Sequence, residues 1–422
     1  MRILLTGASG FIGQALQQAL LAQGHHLVCT ARAPSPSKHP QLRFIQADFT
    51  EDTDKTRWLA RLAGIDVVIN AVGIFRQSGK QTFAALHTKA PCALFAACDE
   101  AAHVQLVIQL SALGADAQAE TPYHLSKKAA DDYLASLPLS AFIVQPSLVY
   151  GRDGTSARLF RTLASLPLGV RLGSAPQLVQ PIHVDDLVAA IVALLHAPRP
   201  LAGKAEWLAL VGPKAMAFHD YLDALRAGMG MAERPSLRLP GALVRLAARC
   251  GLGLFDRDAL RMLERGNCAD PAATTRLLGH PPRPVEHFIE HAAAERSHAK
   301  LGWLLPMLRY SIAAVWIATA IVSFGLYPVA DSYALLERSG IPAALQPLML
   351  YGAASLDLLI GVGILALARR RWLWLIQLAL IGFYSLVIAW MLPEFLLHPY
   401  GPLTKNLPML AAIWLLLELE EQ

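Results

Sequence analysis

The chain is short of charge. Only 16% of its 422 residues are Asp, Glu, Lys or Arg, while 54% are hydrophobic. Soluble domains average about 25% charged, which argues against a chain lying wholly in water. Cysteine is scarce too: Cys29, Cys92, Cys98, Cys250 and Cys268 make an odd count with no CxxC pair. Neither a disulfide framework nor a zinc site is suggested, no metal is expected, and the thiols fit a reduced cytoplasmic domain. No basic stripe with interleaved aromatics occurs, so nucleic acid is not an expected partner. The opening Met1-Arg2-Ile3-Leu4-Leu5-Thr6-Gly7 holds three apolar residues before Thr-Gly, far too few for a signal peptide.

The missing charge is missing mainly from one end. Residues 301–422 carry six Lys/Arg against seven Asp/Glu, a net of −1, which leaves +6 on the first 300 residues. Three runs there are almost free of charge. Leu304–Tyr327 is interrupted only by Arg309, 347–368 only by Asp357, and 372–392 by nothing. Each can span about 30 Å of hydrocarbon as a helix. A fourth run, 407–417, is shorter, with Lys405 placed to snorkel. Arg369-Arg370-Arg371 lies between the second and third runs, and Arg296, Lys300 and Arg309 flank the first. Basic residues favour the cytoplasmic side. The expectation is a multi-pass protein of the cytoplasmic (inner) membrane with both termini in the cytoplasm. Asp357, midway along a span, is costly there and reads as an interhelical hydrogen-bonding group or part of a site for a quinone or another lipophilic molecule.

The first 150 residues alternate short β-rich runs with helical stretches: strands at 2–6, 26–30, 42–47, 66–71, 104–111 and 141–145, and a first helix at 11–23. This predicts an α/β, doubly wound parallel sheet of Rossmann type. Residues from about 151 to 295 read as the last sheet elements plus a small cap, and 291–300 as a polar hinge. The domains are therefore set at 1–295, nucleotide-binding with cap, and 303–422, an all-α transmembrane domain of four helices.

Thr6-Gly7-Ala8-Ser9-Gly10-Phe11-Ile12-Gly13 follows the first strand and opens the first helix. Such spacing allows a tight turn, lets backbone approach a pyrophosphate, and sets the phosphates at a helix N-terminus. The second strand ends beside Arg32, with no acid where a ribose-binding carboxylate would stand. An arginine suits a 2′-phosphate, so NADPH is preferred over NADH as cofactor. Asp48 reads either as an acceptor for the adenine amine or as a helix cap. Tyr123 and Lys127 stand four apart and share a helix face, with Ser111 twelve residues earlier. The ammonium is expected to lower the phenol pKa and hold a ribose. The phenol can then exchange a proton with a carbonyl oxygen while hydride moves, and Ser111 can bond the same oxygen.

These motifs, with Pro146-Ser147-Leu148-Val149-Tyr150-Gly151 and Pro181-Ile182-His183-Val184-Asp185-Asp186, resemble an extended or atypical short-chain dehydrogenase/reductase over residues 1–290. Ser111-Ala112-Leu113-Gly114-Ala115-Asp116 is similar to the branch of the Rossmann-type accessory subunit of respiratory complex I, some members of which bind NADPH without turnover. Gln145 departs from the pattern, since many relatives carry arginine there. Cofactor contacts are expected at Thr6, Gly7, Ser9, Gly10, Phe11, Ile12, Gly13, Arg32, Asp48, Ala71, Gly73, Tyr123, Lys127 and Pro146. Ser111, Tyr123 and Lys127 are the expected catalytic set. Trp316, Asp357, His398-Pro399-Tyr400-Gly401-Pro402 and Lys405-Asn406-Leu407-Pro408 make the C-terminal part resemble a DoxX-like membrane domain. Two functions are implied. One is a bilayer-anchored NADP(H)-dependent oxidoreductase or epimerase for a lipophilic substrate. The other is a non-catalytic NADPH-binding assembly protein that docks on a respiratory or quinone-related complex.

Overall fold

The computed structural model describes residues 1–173, 175–249, 257–397, 401 and 403–420. Cys250, His398, Pro399, Tyr400 and Pro402 lie outside the described residues. The chain divides into two compact units, Met1–Ala299 and Lys300–Gln422.

In the first unit, strands β1 (Arg2–Thr6), β2 (His26–Ala31), β3 (Leu42–Gln46), β4 (Val67–Asn70), β5 (Leu106–Leu110) and β6 (Ala141–Pro146) alternate with helices. The helices are α1 (Phe11–Ala22), α2 (Lys55–Leu59), α3 (Ala90–Glu100) and α4 (Pro122–Ser136). There follow β7 (Val149–Tyr150), α5 (Thr155–Ser165), β8 (Gly169–Leu172), β9 (Leu178–Val179), β10 (Ile182–His183), α6 (Val184–Ala193), β11 (Glu206–Leu210), β12 (Met216–Ala217), α7 (Phe218–Gly228) and β13 (Ser236–Leu239). Helices α8 (Gly241–Arg249), α9 (Arg257–Arg265) and α10 (Ala272–Leu278) close the unit.

Seven strands form one sheet in the order β11-β6-β5-β4-β1-β2-β3, every neighbouring pair parallel. A parallel sheet is covered on both faces. Accordingly β4 and β5 are buried at every position. One face packs on α1 and α6 and the other on α2, α3 and α4. The strand order reverses between β1 and β4, and ligands of such sheets bind at that crevice beyond the carboxyl ends.

The cap has its own core, with Tyr150, Phe160, Phe218, Tyr221 and Phe288 at its centre. Glu295 is buried in it: Arg161 donates to its carboxylate at 2.7 Å and the Tyr150 hydroxyl at 2.9 Å. The expected hinge at 291–300 is thus a correction, because Glu295 lies in α11 (Ala292–Ile321). Alanine, glutamate, arginine and lysine are strong helix formers, and Glu295 and Ala299 are buried against the cap.

The second unit holds the rest of α11, then α12 (Val329–Arg338), α13 (Gln346–Ala366), α14 (Arg371–Met391) and α15 (Asn406–Leu419). Among the described residues, three helical stretches are long and apolar enough to cross a membrane: Ala292–Leu326, Ala343–Ala366 and Arg371–Met391. Helix α15 has 14 residues, about 21 Å at 1.5 Å each, short of a full hydrocarbon core. Glu420, just past α15, meets Arg309 at 3.5 Å, Arg370 at 3.9 Å and the Trp374 indole at 3.1 Å. Arg338 pairs with Glu394 beyond the other end of α14. Asn406, the first residue of α15, donates to the Ser385 hydroxyl at 2.9 Å. Asp357 is buried, and its Oδ1 has no hydrogen-bond partner among the described residues.

Candidate active site

The glycine turn brings three backbone segments closer than side chains allow. Gly7 has φ +73°, and a Cβ there would lie 2.6 Å from the Ala71 carbonyl oxygen. A Cβ at Gly13 would lie 2.0 Å from the Gly7 oxygen. Helix α1 starts behind Gly10 with no acid in its first turn, so its free N–H groups and dipole suit an anion. Ser9 is exposed and Ile12 half-buried at this helix start. Phe11 packs over Gly151, where a Cβ would come within 2.5 Å of its ring, so the glycine turn is tied to the Pro146–Gly151 segment. Pro146 is buried at the end of β6 and accepts from the Leu113 N–H at 3.0 Å. Gln145, the departure from the family pattern, donates to the Ala115 carbonyl at 3.2 Å.

Arg32 follows β2 directly and is exposed. No ion pair or hydrogen bond engages its guanidinium among the described residues. Asp48 acts locally: its Oδ1 accepts from the Thr50 N–H at 2.9 Å and hydroxyl at 2.8 Å. Thr6 is buried, and its hydroxyl donates to Asn70 Oδ1 at 2.6 Å, leaving its backbone to face the turn. Ala71 is half-buried and Gly73 exposed at the end of β4; a Cβ at Gly73 would meet the Lys127 ammonium at 3.2 Å.

Tyr123 opens α4, and Lys127 follows one turn on. Thr121 caps the helix by accepting from the His124 N–H. The Lys127 ammonium is buried and donates to the carbonyls of Leu110 at 2.9 Å and Val72 at 3.2 Å. It therefore clamps the ends of β5 and β4 to the helix. Burial pushes its pKa down to about 8, partly offset by Asp131, so it stays mainly charged at neutral pH. Tyr123 behaves opposite to expectation. Burial, reinforced by Asp131, pushes its phenol up to about 12. The Lys127 ammonium meanwhile bonds the two strand-end carbonyls and not the phenol.

Asp131 is the residue that sequence reasoning missed. It lies four residues past Lys127 on the same face of α4 and is fully buried. Ser111 donates its hydroxyl proton to Asp131 Oδ2. Gln109 Nε2 donates to Oδ1 at 3.4 Å, and Asn70 Nδ2 donates to Gln109 at 2.7 Å. A buried polar chain thus runs from Thr6 through Asn70 and Gln109 to Asp131 and Ser111, across the carboxyl ends of β1, β4 and β5. Burial raises the Asp131 carboxyl to about 6 against the pull of Ser111, Lys127 and Gln109.

His87 closes the same region. It sits in a π-helical turn, Ala84–Lys89, a distortion common at functional sites. Its Nε2 accepts the Ile74 N–H at 2.9 Å, so Nδ1 carries the proton and donates to Ser126 Oγ at 2.9 Å. Burial and then the Lys127 charge push its pKa down to about 2, which keeps it neutral. Its ring meets Tyr123 edge to face at 5.5 Å, and Phe75 and Phe83 also surround the phenol.

A cleft of about 710 Å³ opens beside α4. The loop Ala117–Thr121 and His124 form one wall, and Arg261, Met262 and Arg265 of α9 the other. Arg265 holds the walls together, donating to Asp116 at 2.6 Å and to the Gly114 carbonyl at 2.8 Å.

The order of the sheet and the glycine turn are those of an epimerase/short-chain dehydrogenase-like, NAD-binding Rossmann domain. Residues 3–207 match the NAD dependent epimerase/dehydratase family, and residues 313–414 match the DoxX-like family. The chain is thus an epimerase/reductase-like domain fused to a DoxX-like membrane domain. It is similar to the ceramide reductase of Caulobacter vibrioides (strain NA1000 / CB15N), 31% identical over 200 residues, spanning 46% of this chain and 61% of that one. It is also similar to dihydroflavonol 4-reductase of Hordeum vulgare, 25% identical over 238 residues, spanning 46% of this chain and 67% of that one. Among solved structures, the UDP-glucuronic acid 4-epimerase of Bacillus cereus in complex with NAD shares the fold, with TM-score 0.53 and 20% identity over 72% of this chain and all of that one.

Proposed function

We propose that the protein is a membrane-tethered, NADPH-dependent reductase of a carbonyl group on a lipophilic substrate. We rest this reading on Tyr123 and Lys127, one turn apart on α4 at the carboxyl end of the sheet, with His124 between them in sequence lining the open cleft. The glycine turn, with no room for side chains, and the unpaired Arg32 suit a nicotinamide dinucleotide bearing a 2′-phosphate. Bound there, the dinucleotide supplies hydride to the substrate carbon. Tyr123 supplies the proton to the substrate oxygen. A phenol raised to about 12 arrives protonated, the state that reduction needs. Lys127 fixes the strand ends against α4 and keeps a positive charge near the phenol. Ser111 gives its proton to Asp131, so in this reading Tyr123 alone donates to the substrate oxygen. The likeness to ceramide reductase supports a lipid as substrate, and the membrane domain would keep the enzyme where such a substrate lies.

The test is to incubate the purified full chain with membrane lipid extract and NADPH, or NADH in parallel. A lipid that gains two hydrogens in step with NADPH loss is expected. Arg32→Ala should erase most of a preference of about ten-fold or more for NADPH, since a charged hydrogen bond is worth about 1.5–3 kcal/mol. No NADPH loss with any lipid fraction would sink the reading.

Ser111 also lends support to a second reading, a nucleotide-binding assembly protein of a respiratory or quinone-related complex, because its hydroxyl is not free to donate to a carbonyl. The orientation proposed is cytoplasmic for both termini. The gathering of Arg309, Arg370 and Glu420 supports it, since the arginine-rich loop and the end of α15 then share one side. A reporter fused after Gln422 that reads as external would contradict it.

A further inference from the structure

We propose that α8 and the β8–β13 ribbon form an interfacial membrane contact that binds anionic phospholipid headgroups. Three leucines within ten residues, Leu237, Leu243 and Leu246, are each more than half exposed. Leu243 and Leu246 stand three apart and share a face of α8. Residues 236–249 contain Arg238, Arg245 and Arg249 and no acid. Exposed leucine beside arginine on a short helix is the signature of a helix lying in the headgroup layer.

The charges on the ribbon call for an anion. In the parallel register of β8 and β13, Arg238 stands beside Arg171. Like charges side by side are unfavourable, and Arg171 Nε is buried without a hydrogen-bond partner among the described residues. Among the described residues, Glu264 lies 3.5 Å from Arg245, with both side chains exposed. Phosphate groups of anionic lipid would supply what the ribbon lacks. Chain connectivity favours a bilayer over a protein partner. The first apolar run starts at Leu304, five residues past Ala299 where the first unit ends. Insertion of that run would keep a bilayer at high effective concentration for the first unit, because the two are covalently joined. Helix α8 packs on α9, whose Arg261 and Met262 line the cleft, so the contact would bring membrane lipid to its mouth.

The contact does not depend on turnover, so its failure is distinct from failure of the reductase reading. The test is hydrogen exchange on the full chain, one copy per nanodisc, in phosphatidylcholine alone or with one-third phosphatidylglycerol. Amides of α8 should exchange about ten-fold more slowly with phosphatidylglycerol, while those of α7 stay unchanged. Arg238→Gln with Arg245→Gln should remove the lipid dependence. Leu243→Ser with Leu246→Ser should remove protection in both lipids. All four positions are exposed or at the surface, and unchanged α7 exchange reports an intact fold. Equal α8 exchange in the two lipids would overturn the proposal. So would protection that appears only when two copies share a disc, which would assign the surface to a second copy.

Discussion

Two buried glutamines show how differently the two units use the same side chain. Gln109 lies in β5, accepts from Asn70 at 2.7 Å and donates toward Asp131. Gln377 lies in α14, accepts from the Trp316 indole at 2.8 Å and donates to the Leu373 carbonyl at 3.0 Å. Both are shut off from solvent. In the Rossmann unit the buried polar groups gather at the strand ends, where Tyr123 and Lys127 stand. In the membrane unit Gln377 fastens one helix to another, while the outer surface is apolar: Leu359, Leu386 and Trp390 are 69%, 74% and 84% exposed. Water rewards a polar outside and tolerates buried polar groups where a site needs them. Lipid rewards the reverse outside, and a polar side chain there serves packing.

Substitution can break this comparison. Gln109→Leu should have the larger effect. It leaves the Asn70 amide and an Asp131 oxygen unsatisfied inside the sheet, at about 1–3 kcal/mol for each orphaned group. Hydrogen exchange of β5 should speed up accordingly. Gln377→Leu removes one interhelical bond between membrane helices, where such bonds average about 0.6 kcal/mol. Exchange of α14 should change little. Equal costs would show that Gln377 belongs to a site and not only to packing.

The parts of the fold legible in the sequence were those set by local pattern. Apolar β-branched runs located β1, β2 and β4 because a parallel sheet buries both faces of a strand. The glycine turn was legible because Gly7 and Gly13 admit no other residue. The three long spans were legible from length and lack of charge. What was not legible depends on contacts distant in sequence. The chain from Thr6 to Asn70 to Gln109 exists only because β1, β4 and β5 are neighbours, and each step crosses 39 or 64 residues. His87 acts through Ile74 and Ser126, again across loops. Asp131 had a local signal, its place one turn past Lys127, although periodicity alone does not say that it receives Ser111. The polarity of 291–300 points to a hinge, whereas its alanines, Glu295, Arg296 and Lys300 favour the helix that forms there.

The most direct test of the central claim is Tyr123→Phe in the full chain. The change keeps the ring against His87 and Phe83 and deletes only the hydroxyl. If Tyr123 is the proton donor, NADPH-dependent turnover should fall by about 10²–10⁴-fold while NADPH binding is nearly unchanged. Undiminished turnover by the variant at equal protein level would contradict the account.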